Sequence, residues 1–162
     1  MKFLMKIIGL AMLVGCSQQT NQVKGSFPED SIVKHTAPAK PYKPGLGELM
    51  SAIQMHHGKL WFAGINNNWK LAEYETGEIK EILTSAEEIE TDRPEVKDIH
   101  TVYPSLDSVT ISIAQQNLPL FKSRFGKLTE SCNNCHNNHR FEFNRIIIPQ
   151  SPPVTNQDFK PH

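Results

Sequence analysis

Cysteine is scarce in this chain: three occur among 162 residues, at positions 16, 132 and 135, too few for a disulfide-stapled miniprotein. An excess of charge is lacking too. Lys and Arg number 17, as do Asp and Glu, and no basic run exceeds a pair, so the electrostatic footprint of a nucleic-acid binder is missing. No internal repeat and no alternating strand pattern is present. Nothing resembles a phosphate-binding glycine loop, a Ser/His/Asp nucleophile set or a paired-carboxylate site, which argues against a dedicated enzyme. No methionine follows Met55. What is present is 38% hydrophobic residues, enough for the core of one domain.

The first 16 residues, MKFLMKIIGLAMLVGC, place Lys2 and Lys6 before an apolar stretch from Ile7 to Val14. That stretch is too short to span a bilayer, which takes about 20 residues, and has the architecture of a secretory signal. Its end, Leu13-Val14-Gly15-Cys16, resembles the lipobox of bacterial lipoproteins. The resemblance implies cleavage before Cys16 and acylation of its thiol and new amino terminus. A plain secretory signal ending at a chance cysteine is the alternative. Loss of residues 1–15 removes two lysines and leaves a formal charge of −2. Attachment to the membrane then rests on acyl chains, at roughly 0.8 kcal/mol per buried methylene. The expected location is the bacterial cell envelope, lipid-anchored and facing the periplasm. Ser17, in place of an acidic residue, tilts the expectation toward the outer membrane.

Residues 16–44 are polar, interrupted by Pro28, Pro38, Pro41 and Pro44, and read as a flexible tether. From Leu46 the apolar residues recur with helical spacing as far as Gly64. Asn66-Asn67-Asn68 supplies a turn and a cap, and a second helix follows from Leu71 to Ile89, ending before Arg93-Pro94. Its glutamates, including Glu73, Glu75 and Glu78, read as a solvated face. Ser105 to Gln115 fits a third helix, although its Val, Thr and Ile content also fits a strand. A fourth helix runs from Leu118 toward His139, with Asn117 as cap and Pro119 in the first turn. The expected fold is all-α, an antiparallel four-helix bundle over residues 45–140, with an extended tail over 141–162 packing on it.

The chemistry gathers at Cys132-Asn133-Asn134-Cys135-His136. C-x-x-C-H is the attachment pattern of c-type haem: two thiols add across the porphyrin vinyl groups, and the adjoining imidazole becomes the proximal iron ligand. Phe121, Phe125, Leu128, Cys132 and His136 fall on one helical stripe, so the motif faces the core. Phe125, Leu128 and, from the first helix, Trp61 are the expected haem-pocket residues. Two other readings compete. A redox dithiol normally opens a helix after a strand, and this pair lies near a helix end. A zinc site built from Cys132, Cys135, His136 and His139 asks one helix to surround a tetrahedral ion.

A signal-bearing four-helix chain with its C-x-x-C-H in the last helix resembles the class II c-type cytochromes, the cytochrome c-prime and cytochrome c-556 group. The resemblance spans about residues 45 to 140 and rests on Cys132, Cys135 and His136. It implies one covalent haem c near one end of the bundle. Class I cytochromes fit less well, since their motif lies near the start of the domain and a methionine ligand follows it. The chain departs from class II in its long tail, Asn137 to His162, and in Met50, Met55, His56 and His57 on the first helix.

The sixth ligand separates two functions. Met50 and His57 lie on the apolar stripe of the first helix, His56 at its edge and Met55 opposite. Met50 and His57 are seven residues apart, about 10 Å along a helix, so both cannot reach one iron. The expected distal iron ligand is His57, with Met50 and His56 as alternatives and a hydrogen-bonded core histidine as the plain reading. A six-coordinate iron makes a carrier of single electrons, whose partner is another redox protein of the envelope. An open ferrous iron makes a binder or sensor of NO or CO. Peroxidase-like activity is a weaker reading, since no Arg accompanies the histidines on that helix. Class II relatives often dimerise, and the absence of a second apolar stripe leaves a homodimer open.

Overall fold

The computed structural model describes residues 42–162; the signal segment, Cys16 and the tether up to residue 41 lie outside the described residues. Four α-helices follow in order, α1 over Leu46–Ile65, α2 over Trp69–Ile89, α3 over Tyr103–Ala114 and α4 over Leu118–Asn138, with a 3-10 helix at Pro94–Thr101 between α2 and α3. Among the described residues there is no strand, and no helix is long and apolar enough to cross a membrane.

The helix boundaries have local causes. The Asn68 side chain accepts from the Leu71 amide at 3.3 Å and the Asn117 side chain accepts from the Leu120 amide at 3.0 Å, so each caps the helix that follows it. Asn67 and Gln116, in the turns before α2 and α4, take left-handed φ values of 60° and 49°. They reverse the chain within three residues. Burial of Leu106, Val109 and Ile113 overrides the β propensity of α3 and makes it a helix. The 3-10 helix falls outside the four expected helices; it buries Val96 and Ile99 against α2 and α4.

Cross-contacts set the topology. Lys43, just before α1, reaches Glu90, just after α2, while His56, midway along α1, meets Glu75 in the first half of α2. Lys80 meets Asp107 and Glu87 meets Tyr103, Arg124 meets Ser108 and Ser131 meets Thr101. Across α1 and α4, His57 meets Thr129, Trp61 meets Phe125, and Gly64 meets Phe121. Each adjacent pair therefore runs antiparallel, and the four helices close a bundle around Leu60, Ile79, Leu106, Val109, Phe121, Phe125 and Leu128.

Beyond α4, Arg140 adopts a left-handed φ of 65° and turns the chain back. The Phe141 amide donates to the His136 carbonyl at 2.8 Å. The following segment returns along α1: Pro153 lies against Gly58, Phe159 is buried beside Phe62, and the Lys160 carbonyl accepts from the Asn68 side-chain Nδ2.

Candidate functional site

The last two turns of α4 bring Cys132, Cys135 and His136 onto one cleft, with a volume of about 200 Å³. Its walls are apolar. Leu128 comes from the preceding turn of α4, Met50 and Ile53 from α1, Leu83 from α2, and Ile99 and Val102 from the connection to α3. Arg93, Glu95 and His139 form part of its polar lining, and Arg93 Nε donates to Glu95 Oε1 at 2.8 Å.

Both cysteines are free thiols. Burial, with a smaller contribution from the neighbouring Cys135, pushes the Cys132 thiol up to about 11. Burial also raises Cys135, helped by the carboxylates of Asp98 and Glu95. Reactive dithiols depend on a depressed pKa, and this environment works the other way. The pair is protonated and neutral at neutral pH. Among the described residues, no three His, Cys, Asp or Glu side chains converge as a group able to hold a metal ion. His139 turns instead to Asp98, with Nε2 2.8 Å from Oδ2.

His136 is oriented from the tail. Its Nδ1 lies 2.7 Å from the main-chain carbonyl of Asn144. A carbonyl only accepts, so Nδ1 carries the proton and, in the neutral ring, Nε2 keeps its lone pair. This is the arrangement in which a histidine serves as a metal ligand through Nε2. No residue-type pattern foretells it, because the acceptor is a main-chain atom eight residues away. Asn133, inside the motif, also reaches the tail: its Nδ2 donates to the Ile146 carbonyl and its Oδ1 accepts from the Ile146 amide, both at 2.8 Å.

On α1, His57 lines the cleft, but its imidazole is bonded into the core. Nε2 lies 2.9 Å from Thr129 Oγ1, and that hydroxyl donates to the Phe125 carbonyl at 3.0 Å. Having given its own proton away, the hydroxyl accepts from His57, which is therefore the Nε2–H tautomer. Burial pulls the His57 pKa down to about 4, so the ring is neutral at physiological pH. The α1–α4 register puts His57 level with Thr129. Carried back two turns, the same register brings Met50 level with His136, and both line the cleft.

The other expected site residues separate by face. Of the three expected pocket residues, Leu128 lines the cleft, whereas Phe125 and Trp61 lie outside it. Those two pack on each other at 4.9 Å between ring centroids and fill the core beyond His57. His56 faces α2, with Nδ1 2.7 Å from Glu75 Oε2 and Nε2 3.9 Å from Glu78. Glu75 does not belong to a solvated face: it is 1% exposed, because its helix presents it to α1 at the level of His56. Met55 is exposed. Comparison of the chain with protein-family models, with curated proteins and with solved structures gives no match.

Proposed function

We propose that this chain is a monohaem c-type cytochrome that carries single electrons in the bacterial envelope, tethered by lipid at Cys16. The observation that carries this reading is the convergence of Cys132, Cys135 and His136 on one apolar cleft, with Nε2 of His136 left as the basic nitrogen. The residues fit the group. Two neutral thiols would form the thioether links, His136 would be the proximal ligand, and the apolar walls would exclude water from the ring. Bound haem c supplies a one-electron ferric/ferrous couple. The lipid anchor and periplasmic location rest on the sequence of residues 1–16 alone.

The register supports a different distal residue. Met50 lies level with His136, whereas His57 lies two helical turns, about 10 Å, farther along and is bonded to Thr129. We therefore assign the distal position to Met50 rather than His57. Held by Met50 together with His136, the group would have a higher potential than one held by two histidines.

The test is the spectrum of the full chain made together with haem-attachment machinery. Haem that stays bound after denaturation is expected, and its absence would sink the reading. A reduced spectrum insensitive to CO is expected of the sealed carrier. A rapid CO-induced change would instead point to the NO/CO-binding function.

A further inference from the structure

We infer that Asn133, the first residue between the two cysteines, is a positioning residue for His136: by holding the tail at Ile146 it keeps the Asn144 carbonyl on the imidazole Nδ1. The redox consequence of this inference rests on the cytochrome reading above.

The attachment is a two-point one. The Asn133 amide satisfies both main-chain groups of Ile146, donating and accepting as a neighbouring strand would. Asn133 and His136 are three residues apart on α4 and share one side of it. Their partners, Ile146 and Asn144, are two residues apart in the tail. A shift of the tail at Ile146 therefore carries the Asn144 carbonyl with it.

Asn144 is also tied locally, its amide donating to the Phe141 carbonyl at 2.8 Å. Phe143 is 80% exposed and Ile147 60% exposed, which leaves Ile146, half-buried at the cleft, as the apolar side chain that helps to hold residues 143–147. The left-handed Arg140 and the Phe141 turn only aim the chain back at α4. Downstream, Pro153 lies against Gly58. Between these points Asn133 and His136 supply the side-chain hydrogen bonds from α4 to the tail.

The carbonyl at Nδ1 makes Nε2 a stronger donor, and a stronger proximal donor favours oxidised iron. Loss of the Asn133 bonds therefore raises the midpoint potential. A role confined to tethering the tail would leave the potential where it is.

The experiment uses the full chain, prepared with and without haem-attachment machinery. In both preparations Asn133→Ala is expected to speed chymotrypsin cleavage at Phe143 about tenfold, in line with the loss of two modest hydrogen bonds. In the haem-loaded protein it is expected to raise the midpoint potential. Ile146→Pro removes the amide proton that Asn133 accepts but keeps the carbonyl it donates to, so a smaller change in the same direction is expected, and the double variant goes no further than Asn133→Ala. Asn134→Ala, at the exposed neighbouring position, changes neither readout. Unchanged cleavage overturns the inference, and so does faster cleavage with an unchanged potential. A wild-type chain that takes up no covalent haem overturns the cytochrome reading together with this inference, and that failure is seen before any variant is compared.

Discussion

His57 and Thr129 form a buried hydrogen bond of 2.9 Å between α1 and α4, and the threonine hydroxyl hands its own proton to Phe125 at 3.0 Å. Burial, rather than this chain of hydrogen bonds, keeps the imidazole neutral. Its ring lies 4.4 Å from the Phe125 ring, in surroundings that penalise charge.

Acid should therefore destabilise the fold through His57. Its pKa falls from 6.5 to about 4 on burial, so between those values the unfolded chain binds a proton that the folded chain refuses. The contribution is fully present above pH 6.5 and is lost as pH falls through about 4. The full difference is about 3 kcal/mol. Urea unfolding of wild type and His57→Gln at pH 7, 5 and 4 checks this: the variant should lose distinctly less stability on acidification. Parallel losses would assign the acid sensitivity elsewhere.

Coordination should follow Met50. In the haem-loaded protein, Met50→Ala is expected to open the iron and make the reduced spectrum respond to CO, while His57→Gln leaves it six-coordinate. The register behind this expectation is the pairing of His57 with Thr129 and of Trp61 with Phe125. A CO response in His57→Gln but not in Met50→Ala would restore His57 to the distal position.

The parts of this protein that sequence reveals are those set by short range. Asn68 and Asn117 are legible as caps because a cap bonds to residues two or three places on. His57 is legible as a core residue because helical period alone puts it on the apolar stripe. What escapes is pairing between distant elements. Helical period cannot say that His57 stands opposite Thr129 and not opposite His136, because that register depends on which side chains interlock across α1 and α4. Glu75 looks solvated among its neighbouring glutamates until α1 is laid over it with His56. The Asn144 carbonyl on His136 is a main-chain atom and leaves no mark in residue type.

The His56–Glu75 pair should matter most when broken from one side. Glu75 is 1% exposed and meets His56 Nδ1 at 2.7 Å. His56→Ala leaves the buried Glu75 side chain without that partner, at a cost of about 1–3 kcal/mol. Replacing both residues with leucine removes the polar groups together and should recover much of the loss. Denaturation midpoints of the single and double variants decide; a double variant no more stable than His56→Ala would mean that the pair is not coupled in this way.

Two helical glycines should respond to alanine in opposite directions. On propensity alone, alanine gains about 1 kcal/mol over glycine in a helix. At Gly77, in the middle of α2, a new Cβ meets nothing within 4 Å, so Gly77→Ala should stabilise the protein by up to about that amount. At Gly64 the Cβ would fall 2.1 Å from Phe121 Cζ and 2.2 Å from Cε1. The Phe121 ring is fully buried between Trp61 and Phe125, with Trp69 at its edge, so it has nowhere to swing. Overpacking of this kind costs about 1–3 kcal/mol, and here contacts near 2 Å place it at the upper end, beyond the propensity gain. Gly64→Ala should therefore lower the melting temperature by several degrees, and Phe121→Leu in the same chain should recover part of the drop by vacating the ring edge. If Gly64→Ala proved as stabilising as Gly77→Ala, the close approach of α1 and α4 at Phe121, and with it the register that brings Met50 level with His136, would be wrong.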